Sequence, residues 1–192
     1  EFQKGIDYRG NLSEFDAELQ VHAAIARHFG YKLSIHSGSD KFSIFSLVGQ
    51  RTRGRFHVKT AGTNWLEAMR VVAITDPVLY RAVHRFALES FAEATKFYHV
   101  TTDLNKIPSL STLKDADLPG LFDQDDARQL IHITYGFILQ AKNADGSFRF
   151  RDALYRLWRT QEPLYFDRLY HHIGRHLRLL YSGLDMAERK KV

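Results

Sequence analysis

Apolar residues fall at helical spacing over residues 13–30, SEFDAELQVHAAIARHFG, where Phe15, Leu19, His22, Ala23, Ile25, Ala26 and Phe29 mark one stripe. Ser13 is the expected N-cap and Gly30 the expected stop. YKLSIH then alternates as a strand, and KFSIFSLVGQ reads as a short helix. Between them lies a polar knot, His36 to Lys41. A strand end at Ile35 or His36, a cap from Ser37 or Ser39 and an aspartate at the positive helix end account for part of it. They do not account for the flanking His36 and Lys41.

A second strand is expected at Arg55–Thr60, RFHVKT, with Phe56 and Val58 on one face. A helix follows over Thr63–Ile74, capped by Thr63 or Asn64, and another opens with Asp76 as cap and Pro77 at its first position. YHVTTD, Tyr98–Asp103, reads as a short third strand. Residues 104–124, with Pro108 and Pro119, read as an irregular surface segment. Residues 125–140 form a helix, and beyond the turn NADG the stretch 148–181 gives two more helices broken near Pro163.

The recurring order of strand, polar loop and helix implies an α/β fold with a parallel sheet and crossover helices. Three such strands leave open sheet edges. The expected architecture is therefore the C-terminal half of a (β/α)8 barrel, with active groups at the strand ends. Residues 1–192 would be part of one barrel domain whose N-terminal half is absent, and 104–192 a mostly helical extension of it.

Composition narrows the chemistry. The 192 residues are 44 % hydrophobic, enough for a core, and the longest apolar runs are too short to span a bilayer, so a soluble protein without a membrane partner is expected. No cysteine is present, which excludes disulfides, thiolate catalysis and cysteine-ligated metals. Any metal must use His, Asp or Glu. The net charge of +5 is scattered along helices, and its one run, ERKKV, reads as a frayed terminus, so nucleic acid is not expected as a partner. There is no GxGxxG, P-loop or GxSxG motif.

Three strand ends carry reactive side chains: His36 with Ser37, Ser39, Asp40 and Lys41; Lys59 with Thr60, Thr63 and Asn64; and Thr101 with Thr102, Asp103, Asn105 and Lys106. Parallel strands set such groups side by side on one rim. Lys59, at the end of an apolar strand, is expected to be buried and to need an anionic partner. Arg128, His132 and Tyr135 stand at i, i+4 and i+7 of one helix, as a core face with polar tips or as substrate contacts. In HHIGRH, His172 and His176 have the spacing of two zinc ligands, but no Glu follows the first as in HExxH. With Arg175 and Arg178 interleaved, the stretch reads as a basic helix.

The blocks HFGYKLSIHSGSDKFSIF, GRFHVKTAGTNWLEAMRV, DDARQLIHITYG and HIGRHL, in this order, resemble the C-terminal half of the tagaturonate epimerases. The resemblance implies a larger, barrel-type, cytoplasmic enzyme that depends on a divalent metal (Zn, Mn, Ni or Fe), interconverts tagaturonate and fructuronate and can form an oligomer. It implies His36 as a metal ligand and Asp40 or Asp103, with Lys41, in catalysis. Lys4, Lys41 and Lys59 would hold the sugar carboxylate, and Ser37, Ser39, Thr60, Asn64 and Thr102 the hydroxyls. The alternatives are a class II-like aldolase or isomerase and a non-catalytic domain that binds sugar acids.

Overall fold

Asn11, rather than Ser13, opens the first helix of the computed structural model, which describes residues 2–184. Its Oδ1 accepts from the N–H groups of Ser13 (2.8 Å) and Glu14 (3.3 Å). Helix α1, Leu12–Phe29, ends on a left-handed Gly30 (φ 76°), as expected. Phe15, Leu19, Ala23 and Ala26 are buried, but Ile25 and Phe29 are 41 % and 71 % exposed, so the buried stripe is narrower than its pattern suggested.

The chain divides into two units, Glu1–Ala61 with Tyr170–Val192, and Gly62–Leu169. The first contains α1, strand β1 (Leu33–Ile35), helix α2 (Phe42–Thr52) and strand β2 (Phe56–Val58), together with the later turns of a long helix, Glu162–Ser182. β1 and β2 pair in parallel, Leu33 opposite Phe56 and Ile35 opposite Val58. The ladder continues beyond them: Lys59 N–H donates to the Ile35 carbonyl (3.0 Å) and Gly38 N–H to that of Lys59 (3.1 Å). His36–Ser37 and Lys59–Thr60 thus emerge side by side, as a parallel pair requires.

The core of this unit is Ile44, Phe45 and Val48, all fully buried, packed with Phe15, Leu19, Ile35 and Leu180. Glycine sets the helix crossing. A Cβ on Gly49 would stand 1.8 Å from the Leu180 carbonyl oxygen, and one on Gly183 2.0 Å from that of Ser46. Main chain therefore meets main chain, and His172 and His176 are carried to the loop before α2.

In the second unit, Asp76 caps the helix Pro77–Ala94 by accepting from Leu79 N–H (2.9 Å), with Pro77 at its first position as expected. We label Ala61–Thr75 α3, Pro77–Ala94 α4, Asp125–Ile133 α5, Tyr135–Gln140 α6, Arg151–Thr160 α7 and Glu162–Ser182 α8. The expected break near Pro163 is present between α7 and α8. Leu66, Met69, Tyr80, Val83, Leu118, Phe122, Leu130 and Leu154 build the core. Trp65 and Trp158 fasten it by donating to the carbonyls of Ile131 (2.8 Å) and Ala68 (2.9 Å).

Three expectations are corrected. Tyr98–Asp103 forms no strand: Thr102 donates its hydroxyl proton to Gln129 Oε1 (2.8 Å) and Asp103 N–H donates to Asp126 Oδ1 (2.8 Å), side-chain bonds that replace a ladder. Among the described residues the sheet has two strands. Residues 125–140 are two helices, because the backbone tightens at Thr134 (φ −89°, ψ 2°), and Tyr135 therefore lies outside the helix of Arg128 and His132. Neither Ser37 nor Ser39 caps α2, whose N-cap position is Lys41 without a side-chain bond. The basic run 188–192 lies outside the described residues. No described helix is long and apolar enough to cross a membrane.

Candidate functional site

The knot His36–Lys41 is tied by its backbone. Ser37 (φ 51°) and Asp40 (φ 63°) both adopt left-handed geometry, a conformation that costs a non-glycine residue free energy and tends to persist at functional sites. Between them, a Cβ on Gly38 would lie 2.5 Å from Val58 Cγ1 and 2.9 Å from the Ile35 carbonyl oxygen, so only glycine lets the loop lie against the strand ends.

Lys41 is fully buried. Its Nζ donates to the carbonyls of Gln3 (2.8 Å), Ile6 and Ser39 (3.1 Å), so three main-chain oxygens take up the ammonium's three donors. The lysine draws the N-terminal segment and the knot around one charge. Lys59 is the reverse of its expectation: it is exposed, and the premise of a buried ammonium there is corrected.

Beside Lys41 the structure gathers Asp40, His172 and His176, whose ligand atoms all lie within 4.8 Å of one another. His172 Nε2 is 2.5 Å from Asp40 Oδ1, and His176 Nε2 is 3.8 Å from the same oxygen. His176 Nδ1 stands 2.9 Å from the His172 carbonyl oxygen, which can only accept, so the ring proton is on Nδ1. Its Nε2 carries the lone pair and accepts from Asp40 N–H at 3.1 Å. Burial holds the His176 imidazole below its ordinary pKa, with the His172 carbonyl and the Asp40 carboxylate opposing. The ring is a neutral donor.

A carboxylate and two imidazoles are a donor set for a divalent transition metal, and a backbone carbonyl on the far nitrogen is the usual device for orienting a ligating histidine. The residues fit such an ion chemically, with the lone pair of His176 now taken by Asp40 N–H. The i, i+4 spacing of the histidines is visible in HHIGRH, but their assignment to a basic helix missed the group, because the third member is 132 residues away in the chain.

His36 is exposed and outside this group. With Ser37 it lines a cavity of about 600 Å³, whose wall also holds Glu18, His22, Ser34 and Tyr8. Glu18 and His22, one turn apart on α1, were not singled out from sequence. Ser39 is buried and Thr60 and Lys4 half-buried in the same unit.

The remaining expected site residues belong to the second unit. Asp103 caps a 3₁₀ turn, Leu104–Lys106, by accepting from Asn105 N–H (3.0 Å). Arg128 is buried and donates to the Phe122 carbonyl (2.6 Å). Arg70 donates to the same carbonyl and to Asp123, and this guanidinium holds the Asp123 carboxyl below its usual range. The ring of His132 packs on Gly62, where a Cβ would stand 2.0 Å from Cε1. Tyr135 is 44 % exposed, and Asn64 is exposed with its carbonyl accepting from the Tyr165 hydroxyl (3.4 Å).

The UxaE family, described as tagaturonate epimerase, matches residues 1–180. A tagaturonate/fructuronate epimerase of Thermotoga maritima is 47 % identical over 181 residues, 94 % of this chain and 36 % of the relative. The native crystal structure of the fructuronate-tagaturonate epimerase UxaE of Cohnella laeviribosi is 62 % identical over 94 % of this chain and 37 % of its own, with a TM-score of 0.92. Its complex with two glycerols is 60 % identical over 96 % of this chain, with a TM-score of 0.93. The chain spans little more than a third of the length of these relatives. At this identity, and with the fold matched along nearly all its length, the chain belongs to the tagaturonate epimerase family.

Proposed function

We propose that the complete protein is a divalent-metal-dependent epimerase that interconverts tagaturonate and fructuronate at carbon 4. The observation that carries the metal dependence is the Asp40–His172–His176 group, in which Asp40 and His176 are buried and His172 half-buried. The two sugars differ at a carbon whose hydrogen is not acidic, because the ketone is at carbon 2. Simple proton abstraction cannot invert it. Cleavage between carbons 3 and 4, rotation of the aldehyde fragment and re-addition achieves the inversion with no change of redox state.

A divalent ion held by Asp40, His172 and His176 would supply Lewis-acid stabilisation of the negative charge that builds on the carbonyl oxygen. The chain's own residues do the rest. Ser37, beside the cavity, has a hydroxyl suited to the sugar hydroxyls, and Lys59, exposed at the adjoining strand end, suits the carboxylate. A carboxylate must take the carbon 4 hydroxyl proton. The parallel β1–α2–β2 unit is consistent with part of a barrel in the complete protein.

A second assignment of the ion is favoured by the exposure of His36 in the cavity wall. Elemental analysis joined to a tagaturonate epimerisation assay, before and after chelation, tests the proposal on the complete protein. Activity lost with the metal and regained on its return is expected; full activity in metal-free protein overturns it. Metal content of His176→Gln beside His36→Gln then separates the two assignments, since only the variant that has lost a ligand releases the ion.

A further inference from the structure

Helix α8 carries a cation that the epimerase proposal does not use. Of the three candidate ligands, His172 keeps 15 % of its side-chain surface, against 4 % for Asp40 and 3 % for His176, so the group opens to solvent at His172. Arg175 stands three residues further along the same helix, and residues so spaced are neighbours on the helix surface. It is exposed. Its charge therefore flanks the open side of the group.

Arg175 is also held in place. Its guanidinium carbon lies 3.9 Å from the centroid of the Phe42 ring, a stacking contact that leaves the N–H edge of the guanidinium free to donate. The same ring packs against both histidines, its centroid 5.7 Å from that of His172 and 4.9 Å from that of His176. One aromatic side chain thus joins the arginine to two candidate ligands. Arg51, Arg70 and Arg81 each reach a carboxylate of the protein, at Asp16, Asp123 and Asp115. Arg175 has no carboxylate in ion-pair range among the described residues, so its donors are left for an anion from outside.

We infer that Arg175 binds the carboxylate of the substrate and so selects sugar acids over neutral ketoses. The inference rests on the epimerase proposal, in which the sugar's carbonyl oxygen meets an ion at Asp40, His172 and His176. The planar fork of a guanidinium matches a carboxylate in two parallel hydrogen bonds, and stacking on Phe42 reduces the freedom lost when they form. Tagaturonate and fructuronate carry their carboxylate at the opposite end of the carbon chain from the ketone. With the carboxylate at Arg175 and the ketone toward the ligands, the sugar lies along the open side of the group. Lys59 can add a second charge, but no ring or side-chain bond fixes its ammonium among the described residues.

Calorimetric titration of tagaturonate and of the neutral ketose tagatose into the complete, metal-loaded protein tests this, with kcat/KM for both sugars and metal content as further readouts. Arg175→Gln should weaken tagaturonate at least about tenfold, leave tagatose nearly unchanged and keep its metal. Arg175→Lys, which keeps the charge and loses the fork, should fall between wild type and Arg175→Gln. Arg178→Gln is the control, since Arg178 is exposed on the same helix with the same charge and is not stacked on Phe42; it should leave the preference between the two sugars as it is. Equal losses for both sugars in Arg175→Gln, a tagaturonate loss no greater than that of Arg178→Gln, or loss of the metal overturns the inference and leaves the epimerase standing. So does a preference abolished by Lys59→Met and kept by Arg175→Gln. Wild-type protein that neither binds nor converts tagaturonate overturns the epimerase reading and this inference with it.

Discussion

Asp40 meets His176 twice: its main-chain N–H donates to Nε2 at 3.1 Å, and its Oδ1 lies 3.8 Å from the same nitrogen. One residue thus supplies a backbone donor that orients the ring and a carboxylate that faces it. Both depend on the left-handed backbone at position 40 (φ 63°). Side-chain charge and backbone conformation can therefore be separated by substitution.

Asp40→Asn should keep the fold, since asparagine tolerates left-handed geometry, while removing the charge that a cation needs. Metal affinity, measured by calorimetric titration with Zn²⁺ or Mn²⁺, should fall by at least about tenfold, the loss that even an outer-shell change causes. Unchanged affinity would remove Asp40 from the ligand set. Asp40→Val should fail differently, by losing stability first, because a β-branched residue is strained at this φ.

Lys41→Met should lower stability by about 2–4 kcal/mol, because three buried carbonyl oxygens lose a charged donor. The shift of the denaturation midpoint at constant slope is the measurement. A change within about 0.5 kcal/mol, the level of an ordinary surface substitution, would show that the ammonium's own burial cancels its bonds.

Gly49→Ala should destabilise the first unit by about 2–3 kcal/mol, the cost of overpacking where the neighbour is main chain. A new Cβ there would meet the Leu180 carbonyl oxygen at 1.8 Å. Gly30→Ala is the useful control: it meets no atom within 4 Å but forces a side chain onto φ +76°, so its smaller loss is pure backbone strain. Thermal unfolding of both variants ranks the two costs.

His84 predicts a pH dependence. Burial lowers its pKa from 6.5 to about 4, so the native state keeps it neutral while the unfolded chain binds a proton below pH 6.5. Its contribution is complete above that pH, falls as the pH drops toward 4, and amounts to about 3 kcal/mol over the window. His84→Phe should flatten that part of the profile, read as the difference between variant and wild-type stability at pH 7 and at pH 4.5. An unchanged difference at the two pH values would mean that His84 titrates normally.

Local signals were legible in the sequence where local physics decides. Gly30 at a C-cap, Asp76–Pro77 at a helix start and the alternation of Leu33–Ile35 and Phe56–Val58 each act through neighbouring residues, and the structure places them as read. The third strand was not legible as an error, because YHVTTD alternates well, and only its side-chain bonds to Gln129 and Asp126 keep it out of a ladder. The sequence marks Lys59 for burial, at the end of an apolar strand, and leaves Lys41 in a polar knot, the reverse of what the structure shows. Burial parted them, through carbonyls contributed by Gln3 and Ile6 more than thirty residues away. The histidine spacing of α8 was visible, while its partner Asp40 is brought to it only by the crossing of α2 and α8.

That crossing has a consequence for how the buried group responds to change. At Gly49 and Gly183 the two helices rest on each other's carbonyls, so their separation is set by covalent backbone dimensions rather than by how neighbouring side chains fill space. Substitutions at Val48 or Leu180 that swell or shrink the packing have little purchase on the distance between Asp40 and the histidines. The spacing of the three candidate ligands behaves as a fixed gauge, and adapting the group to an ion of a different radius would require changes in the knot at Ser37–Asp40, where the backbone is already bent.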